Sequence, residues 1–220
     1  MSMVSEKLIK EIYKSGVIAV LEIDDAENAV PLAEALLEGN VIMMELTLRT
    51  PAALESLIRI KSRVPQMIAG VGTVLTVNQL KEIKDAGAAF GVAPGMNPRI
   101  VEAASELNLP FAPGIATPSE LERAIELGCN VLKFFPAEMS GGLKYLQSMT
   151  APYNHLGLKY IPLGGLNFQN AQVYLESQLI LAVGGSWIAK RDIIKKKDWK
   201  TIAENAGLAM NLVKKVRGNK

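Results

Sequence analysis

Three charged side chains interrupt apolar runs in this sequence: Glu45, Arg49 and Lys133. In Val41-Ile42-Met43-Met44-Glu45-Leu46-Thr47-Leu48-Arg49, a side-chain period of two puts Glu45, Thr47 and Arg49 on one face of a strand. A carboxylate and a guanidinium then stand one above the other. Burying such charges is costly, so the arrangement is either a structural ion pair or part of a site. Lys133 lies inside Val131-Leu132-Lys133-Phe134-Phe135-Pro136, with apolar residues on both sides. Lysine is rarely fully buried, and desolvation favours its neutral amine. A neutral amine facing a ketone forms a carbinolamine and then an imine. The competing explanation is a lysine that snorkels outward or pairs structurally. Gly164-Gly165 and Gly184-Gly185-Ser186 suit close approach of backbone to an anion such as phosphate, with Asn167 and Ser186 as extra donors. Gly70-Val71-Gly72-Thr73 offers a hydroxyl beside flexible backbone.

The elements that must position these groups repeat along the chain. Short apolar runs begin near Gly16, Val41, Met67, Ala88, Pro110, Val131, Lys159 and Ile180, at intervals of 21 to 28 residues. Helical periodicity fills the gaps, as in Ala26 to Glu38 stopped by Gly39, Asn78 to Ala86 closed by Gly87, and the segment opened by Thr117-Pro118. The runs are apolar on both faces, as expected of parallel strands covered by helices. Eight strand–helix units in 220 residues predict one α/β domain over 1–220, a (β/α)₈ TIM barrel. A doubly wound open sheet is the alternative. Val4 to Lys14 is expected to be a helix closing the barrel's bottom, and the chain beyond Ile188 is expected to be helical. In a barrel, catalytic groups belong at the C-terminal ends of the strands, where Glu45, Arg49, Lys133 and the glycine pairs fall.

Composition removes several function classes. With 24 basic and 22 acidic side chains the net charge is +2, too balanced for an electrostatically driven nucleic-acid binder. Lys195-Lys196-Lys197 and the final Lys-Lys-Val-Arg therefore predict a solvated helix face. One cysteine, Cys129, excludes an internal disulfide, and one histidine, His155, argues against a catalytic zinc site. Both residues fall at helix-to-strand turns, on the side of a barrel away from catalysis. Met43, Met44 and Met67 are expected to fill core. No run approaches the ~20 apolar residues of a membrane helix, and the charged start lacks a signal-peptide core. The expectation is a soluble cytoplasmic protein without metal or other cofactor, and without nucleic-acid or membrane partners.

Taken together, the motifs resemble the bacterial aldolases that act on 2-keto-3-deoxy-6-phosphogluconate and 4-hydroxy-2-oxoglutarate. The carriers are Glu45-Leu46-Thr47-Leu48-Arg49-Thr50, Gly70-Val71-Gly72-Thr73-Val74-Leu75, Val92-Ala93-Pro94-Gly95 and Pro113-Gly114-Ile115-Ala116-Thr117. Lys133-Phe134-Phe135-Pro136-Ala137-Glu138 and Gly184-Gly185-Ser186-Trp187 complete the set. The resemblance spans roughly Gly16 to Trp187. It implies that Lys133 is the Schiff-base lysine and Glu45 the proton-transferring carboxylate. It implies that Arg49 and Thr73 hold a pyruvate carboxylate, and that Gly164, Gly165, Gly185 and Ser186 hold a distal phosphate. Pro94, Phe135 and Leu163 are the remaining implied substrate contacts. The implied partners are a phosphorylated 2-keto-3-deoxy sugar acid and pyruvate, and the implied assembly is a homotrimer.

The implied reaction cleaves 2-keto-3-deoxy-6-phosphogluconate to pyruvate and D-glyceraldehyde 3-phosphate, and extends to 4-hydroxy-2-oxoglutarate, giving pyruvate and glyoxylate. Two departures bear on it. Pro162-Leu163-Gly164-Gly165 has leucine where many relatives have threonine, which removes a hydrogen-bond donor from the substrate site. Glu22 stands where some relatives carry arginine. The galactonate-derived epimer as main substrate, a non-catalytic phosphosugar-binding barrel and a metal-dependent enzyme on the same fold are the alternatives.

Overall fold

A computed structural model describes residues 3–218. The order is α1 (Glu6–Ser15), β1 (Val17–Leu21), α2 (Ala29–Glu38), β2 (Met43–Thr47), α3 (Ala53–Arg63), β3 (Ile68–Gly72), α4 (Val77–Asp85), β4 (Gly91–Val92) and α5 (Pro98–Glu106). Then follow β5 (Phe111–Ala112), β6 (Gly114–Ile115), α6 (Pro118–Glu126), β7 (Val131–Phe134), α7 (Gly142–Thr150) and β8 (Lys159–Pro162). The chain ends with α8 (Ala171–Leu175), β9 (Val183–Gly185), α9 (Arg191–Lys195) and α10 (Trp199–Arg217). The expected alternation is present, and the N-terminal and C-terminal helices are where the periodicity put them.

All strand pairs are parallel. Six strands form a curled sheet in the order β5-β4-β3-β2-β1-β9, and three form a second sheet, β6-β7-β8. Neighbours in space are neighbours in sequence, and β9 returns beside β1. The reversal of strand order that defines a doubly wound sheet is absent from this arrangement. The fifth apolar run makes two strands because Pro113, which has no N–H to give a ladder, divides it. β5 pairs with β4 and β6 pairs with β7. On the far side, a single parallel bridge joins Tyr160 of β8 to Ile180, with Leu181 donating to the Tyr160 carbonyl at 3.0 Å.

Two apolar clusters follow from strand parity. Outward residues such as Leu132, Phe134 and Tyr160 pack under the helices. Inward residues such as Ile18, Met43, Phe90, Val131, Ile161 and Leu163 form a second cluster shared by the two sheets. Helix α1 closes that interior at the N-terminal ends of the strands. Ser5 caps it by accepting from the Leu8 N–H, and Leu8 and Ile12 point into the inner cluster. Burying each such side chain contributes about 1.5–3 kcal/mol. Asn130 holds the start of this segment by exchanging two hydrogen bonds with the Val4 backbone, at 2.8 and 2.9 Å.

Several local expectations need refinement. The segment from Ala26 to Glu38 opens with a 3-10 turn over Ala26–Asn28 before α2 begins. Gly39 follows α2 but has φ −81°, and Asn40 takes the left-handed conformation with φ 64°. Gly39 serves packing instead, since a Cβ there would overlap Ala206 of α10. Thr117 caps α6 as expected, and Glu120 completes the cap, each bonding the other's backbone. Arg217, read as part of a solvated basic face, turns inward. It stacks 4.1 Å from the centre of the Tyr13 ring and donates to the carbonyls of Tyr13, Ile180 and Leu181.

Candidate active site

Lys133 is the third residue of β7, held in register by pairing with Gly114 on one side and Ile161 on the other. Its backbone N–H donates to the carbonyl of Pro113 at 2.9 Å. Parity turns its side chain inward, above Val131. Glu45 projects inward from β2, level with Val20 and Gly70. The two side chains meet across the interior, with Lys133 Nζ 3.6 Å from Glu45 Oε1 and only 8% and 3% of their side chains exposed. That separation is an ion-pair distance beyond hydrogen-bond range, and Glu45 Oε1 has no hydrogen-bond donor in this buried position. Buried polar atoms are usually hydrogen-bonded, and Glu45 Oε1 is one of four buried side-chain atoms among the described residues that are not. The face of Phe135 lies 5.3 Å from Nζ.

Glycine makes the room. A Cβ on Gly72 would overlap Glu45 Oε1, and one on Gly70 would overlap the Phe90 ring. Beneath the pair lies a small cavity of about 20 Å³, lined almost wholly by apolar side chains, Leu8 and Ile12 of α1 among them. Above it a cleft of about 330 Å³ opens at the C-terminal ends of the strands. Eleven of the site residues singled out in the sequence line this cleft: Glu45, Arg49, Thr73, Pro94, Lys133, Phe135, Leu163, Gly164, Gly165, Gly185 and Ser186. Val20, Thr47, Leu166 and Gly184 line it too.

At one wall, Thr47 donates its hydroxyl to the Leu21 carbonyl at 2.9 Å and accepts from Arg49 Nε at 3.4 Å. Arg49 Nη2 forms a 2.7 Å bridge with Glu22 Oε1. Glu22 Oε2 in turn accepts from Arg191 Nη1 at 3.2 Å. Arg191 also grips Asp24, which Lys195 approaches at 3.2 Å. The hydrogen bonds from Arg191 hold the Asp24 carboxyl down at about 2. Thr73 sits at φ 61°, a left-handed conformation that costs a β-branched residue energy and recurs at functional sites.

The opposite wall is made of the turns after β8 and β9. Gly164 and Gly165 have φ of 95° and 82°, which glycine alone adopts freely. Leu163 packs against Gly184, where a Cβ would come within 2.7 Å of Leu163 Cγ. Glu138 braces this wall. Its N–H donates to the Gly164 carbonyl at 3.1 Å, and its Cβ lies where a side chain on Gly165 would need to be. The Tyr174 hydroxyl of α8 donates to Glu138 Oε1, and burial together with this bond pushes that phenol's pKa up.

Not every candidate belongs to the cleft. Asn167 accepts from the N–H groups of Gln169 and Asn170 and so shapes its own loop. Cys129 is core, and burial pushes its thiol up to about 12. His155 is exposed in a 3-10 turn before β8, at the opposite end from Lys133. Met43, Met44 and Met67 are buried filler. Among the described residues, no group of three or more His, Cys, Asp or Glu is placed to hold a metal ion, and no helix is long and apolar enough to cross a membrane. Sequence reading missed the bridge from Glu22 to Arg49 and the brace from Tyr174 to Glu138. The parity of Ile18 and Val20 on β1, continued to Glu22 just beyond it, was the available signal for the first, and the second left none.

Comparison with known proteins agrees with this geometry. Residues 8–205 match the model of the KDPG and KHG aldolases. A 2-dehydro-3-deoxy-phosphogluconate aldolase of Dickeya dadantii is 41% identical over 194 residues, 88% of this chain and 90% of the relative. The KDPG aldolase of Legionella pneumophila, solved with pyruvate as a covalent carbinolamine, superposes with a TM-score of 0.87 at 35% identity, covering 91% of this chain and 97% of that one. The corresponding enzyme of Zymomonas mobilis ZM4, solved with 3-phosphoglycerate, gives 0.86 at 36% identity, covering 93% and 96%. A match of this extent, on a chain whose cleft brings together Glu45, Arg49, Thr73 and Lys133 with the glycine turns, means that the protein belongs to the KDPG and KHG aldolase family.

Proposed function

We propose that this protein is a class I aldolase that cleaves 2-keto-3-deoxy-6-phosphogluconate to pyruvate and D-glyceraldehyde 3-phosphate through an imine on Lys133. The observation that carries the reading is the buried Lys133 amine 3.6 Å from Glu45, opening onto a cleft with Arg49 at one wall and glycine turns at the other. The carbinolamine in the Legionella relative and the 3-phosphoglycerate in the Zymomonas relative support the same assignment. The fold that supplies this geometry is read as one domain, a closed eight-stranded barrel in which β5 and β6 share one stave. Support comes from the meeting of Lys133 of one sheet with Glu45 of the other, and from the bridge between Tyr160 and Ile180.

The Lys133 ammonium gives a proton to Glu45, the freed amine adds to the C2 ketone, and the resulting carbinolamine loses water with that proton. The iminium is an electron sink. Glu45, now a carboxylate, takes the C4 hydroxyl proton as the C3–C4 bond breaks, and its electron pair passes into the iminium to leave an enamine. The aldehyde departs, the enamine is protonated at C3, and water releases pyruvate and the free amine. Such a positioned acid–base group is worth about 10²–10⁴-fold. Arg49 offers its planar fork to the pyruvate carboxylate beside Thr73, and the amides and hydroxyl of Gly164, Gly165, Gly185 and Ser186 receive the phosphate. Pro94, Phe135 and Leu163 shape the middle. Leu163 brings a buried apolar side chain there, which loosens hydroxyl discrimination and favours 4-hydroxy-2-oxoglutarate as a second substrate. A homotrimer in the cytoplasm completes the reading on the family's pattern, and light scattering tests the assembly.

Borohydride reduction in the presence of pyruvate is expected to fix the pyruvate-derived mass on Lys133. Lys133→Ala is expected to lose both the adduct and turnover while unfolding at a similar temperature. A variant that keeps full activity would falsify the imine route. Ranking kcat/KM on the two phosphorylated epimers and on 4-hydroxy-2-oxoglutarate tests the substrate.

A further inference from the structure

Glu22 lies one step beyond β1, yet strand parity and its contacts place it at the mouth of the cleft. Ile18 faces the inner cluster and Val20 lines the cleft, so Glu22 continues the same face. Its neighbours Leu21 and Ile23 are buried under the helices, which agrees with that alternation. The pairing of Val20 with Glu45 sets Glu22 level with Thr47, and the pairing of Ala19 with Gly185 sets it just beyond Ser186. Glu22 therefore stands between the strand that carries Arg49 and the strand that carries the glycine turn.

Its two carboxylate oxygens are used separately. Oε1 takes Arg49 Nη2 at 2.7 Å, and Oε2 takes Arg191 Nη1 at 3.2 Å. Thr47 receives Nε of Arg49, so one edge of that guanidinium is held at both of its nitrogens. The Nη1 end is left as the edge available to a ligand. Arg191 is itself fixed by Asp24, and Lys195 adds to the same carboxylate. The five charges alternate in sign from Arg49 to Lys195 and tie the exit of β1 to α9. A guanidinium on a half-exposed stem would otherwise sample many rotamers.

The geometry points to Glu22 as the positioning residue for Arg49: it aims the guanidinium at the carboxylate of the 2-keto acid, and Arg191 anchors it from behind. This rests on the proposed role of Arg49 and adds to it a residue outside the cleft lining. Pyruvate alone reads this end of the site, because it carries the carboxylate and ketone without a phosphate. Glu22→Ala and Arg191→Ala are therefore compared with the unaltered protein by calorimetric pyruvate affinity, by KM and kcat, and by melting temperature. Both variants are expected to weaken pyruvate binding and raise KM about three- to tenfold, with kcat within about twofold, as expected of lost orientation at a half-exposed pair. Glu22→Gln, which keeps one acceptor oxygen, is expected to fall between. The double variant is expected to be no worse than Glu22→Ala, because both act through one path. Unchanged pyruvate affinity in folded Glu22→Ala would overturn the proposal, and so would tighter binding, which would make Glu22 a competitor for Arg49. Absence of a borohydride adduct in the unaltered protein would strike the imine instead, and the calorimetric comparison would still decide Glu22.

Discussion

At the scale of single residues, the chemistry depends on a glycine as much as on the charged pair it accommodates. Glu45 reaches within 3.6 Å of Lys133 because Gly72, two residues beyond its partner Gly70 on β3, has no side chain. Adding one methyl group at Gly72 puts carbon where Glu45 Oε1 now lies, and the carboxylate has to swing away from the amine. Displacement of about 1 Å at such a site can cost roughly 10²-fold in rate. Gly72→Ala is thus expected to lower kcat about 10²-fold with a smaller change in KM, measured on protein whose circular dichroism matches the unaltered chain. Normal kcat in that folded variant would mean that Glu45 is not the proton carrier. The charged residues themselves were legible in the sequence because a carboxylate and an ammonium inside apolar strands violate the burial rule visibly. The purpose of Gly72 was not, since a strand glycine has many explanations until the side chain that fills its space is known.

At the scale of elements, legibility followed the range of the interaction. Helix caps such as Thr117 with Glu120 are local, and the sequence displays them. Strand parity is local too, which is why Glu45, Thr47 and Arg49 line one cleft as expected. The division of the fifth run at Pro113, the inward turn of Arg217 and the chain of charges through Glu22 depend on which strands become neighbours. Residues such as Glu22 and Arg191, far apart in sequence, give no sign of each other in a single chain. The turn after β8 shows what such long-range contacts do for function. Gly165 rests on Glu138, and Glu138 is held by the hydroxyl of Tyr174 in α8. Tyr174→Phe removes that donor and nothing else, a loss typical of a hydrogen bond to a charged group and worth about 1.5–3 kcal/mol where fully expressed. The glycine turn is then free to shift. KM for the phosphorylated substrate is expected to rise about tenfold, while borohydride trapping with pyruvate stays unchanged. Equal effects on both ligands would show that the brace supports the whole cleft rather than its phosphate end.

At the scale of the whole molecule, stability and chemistry occupy opposite ends of the strands. The inner apolar cluster is sealed by α1 at the N-terminal ends, and the cleft opens at the C-terminal ends. The division is not complete, because Ile12 of α1 lines the same small cavity as Lys133 and Glu45. Enlarging that cavity therefore tests whether the floor of the site acts only as packing. Ile12→Ala removes three carbons from a side chain that is 4% exposed, and core truncations of this kind cost about 2–5 kcal/mol. The space created on the α1 side is lined by Val4, Leu8, Ile18, Phe90 and Val131, and apolar walls of this kind disfavour water, although Glu45 and Lys133 border the same cavity. The surroundings of the amine are then little altered. The midpoint of urea unfolding is expected to fall by an amount equal to about 2–5 kcal/mol, with kcat/KM at 25 °C held within about twofold. A marked loss of turnover at temperatures where the variant is fully folded would show that α1 does more than seal the interior, and that the closure at the base of the strands sets the position of Lys133.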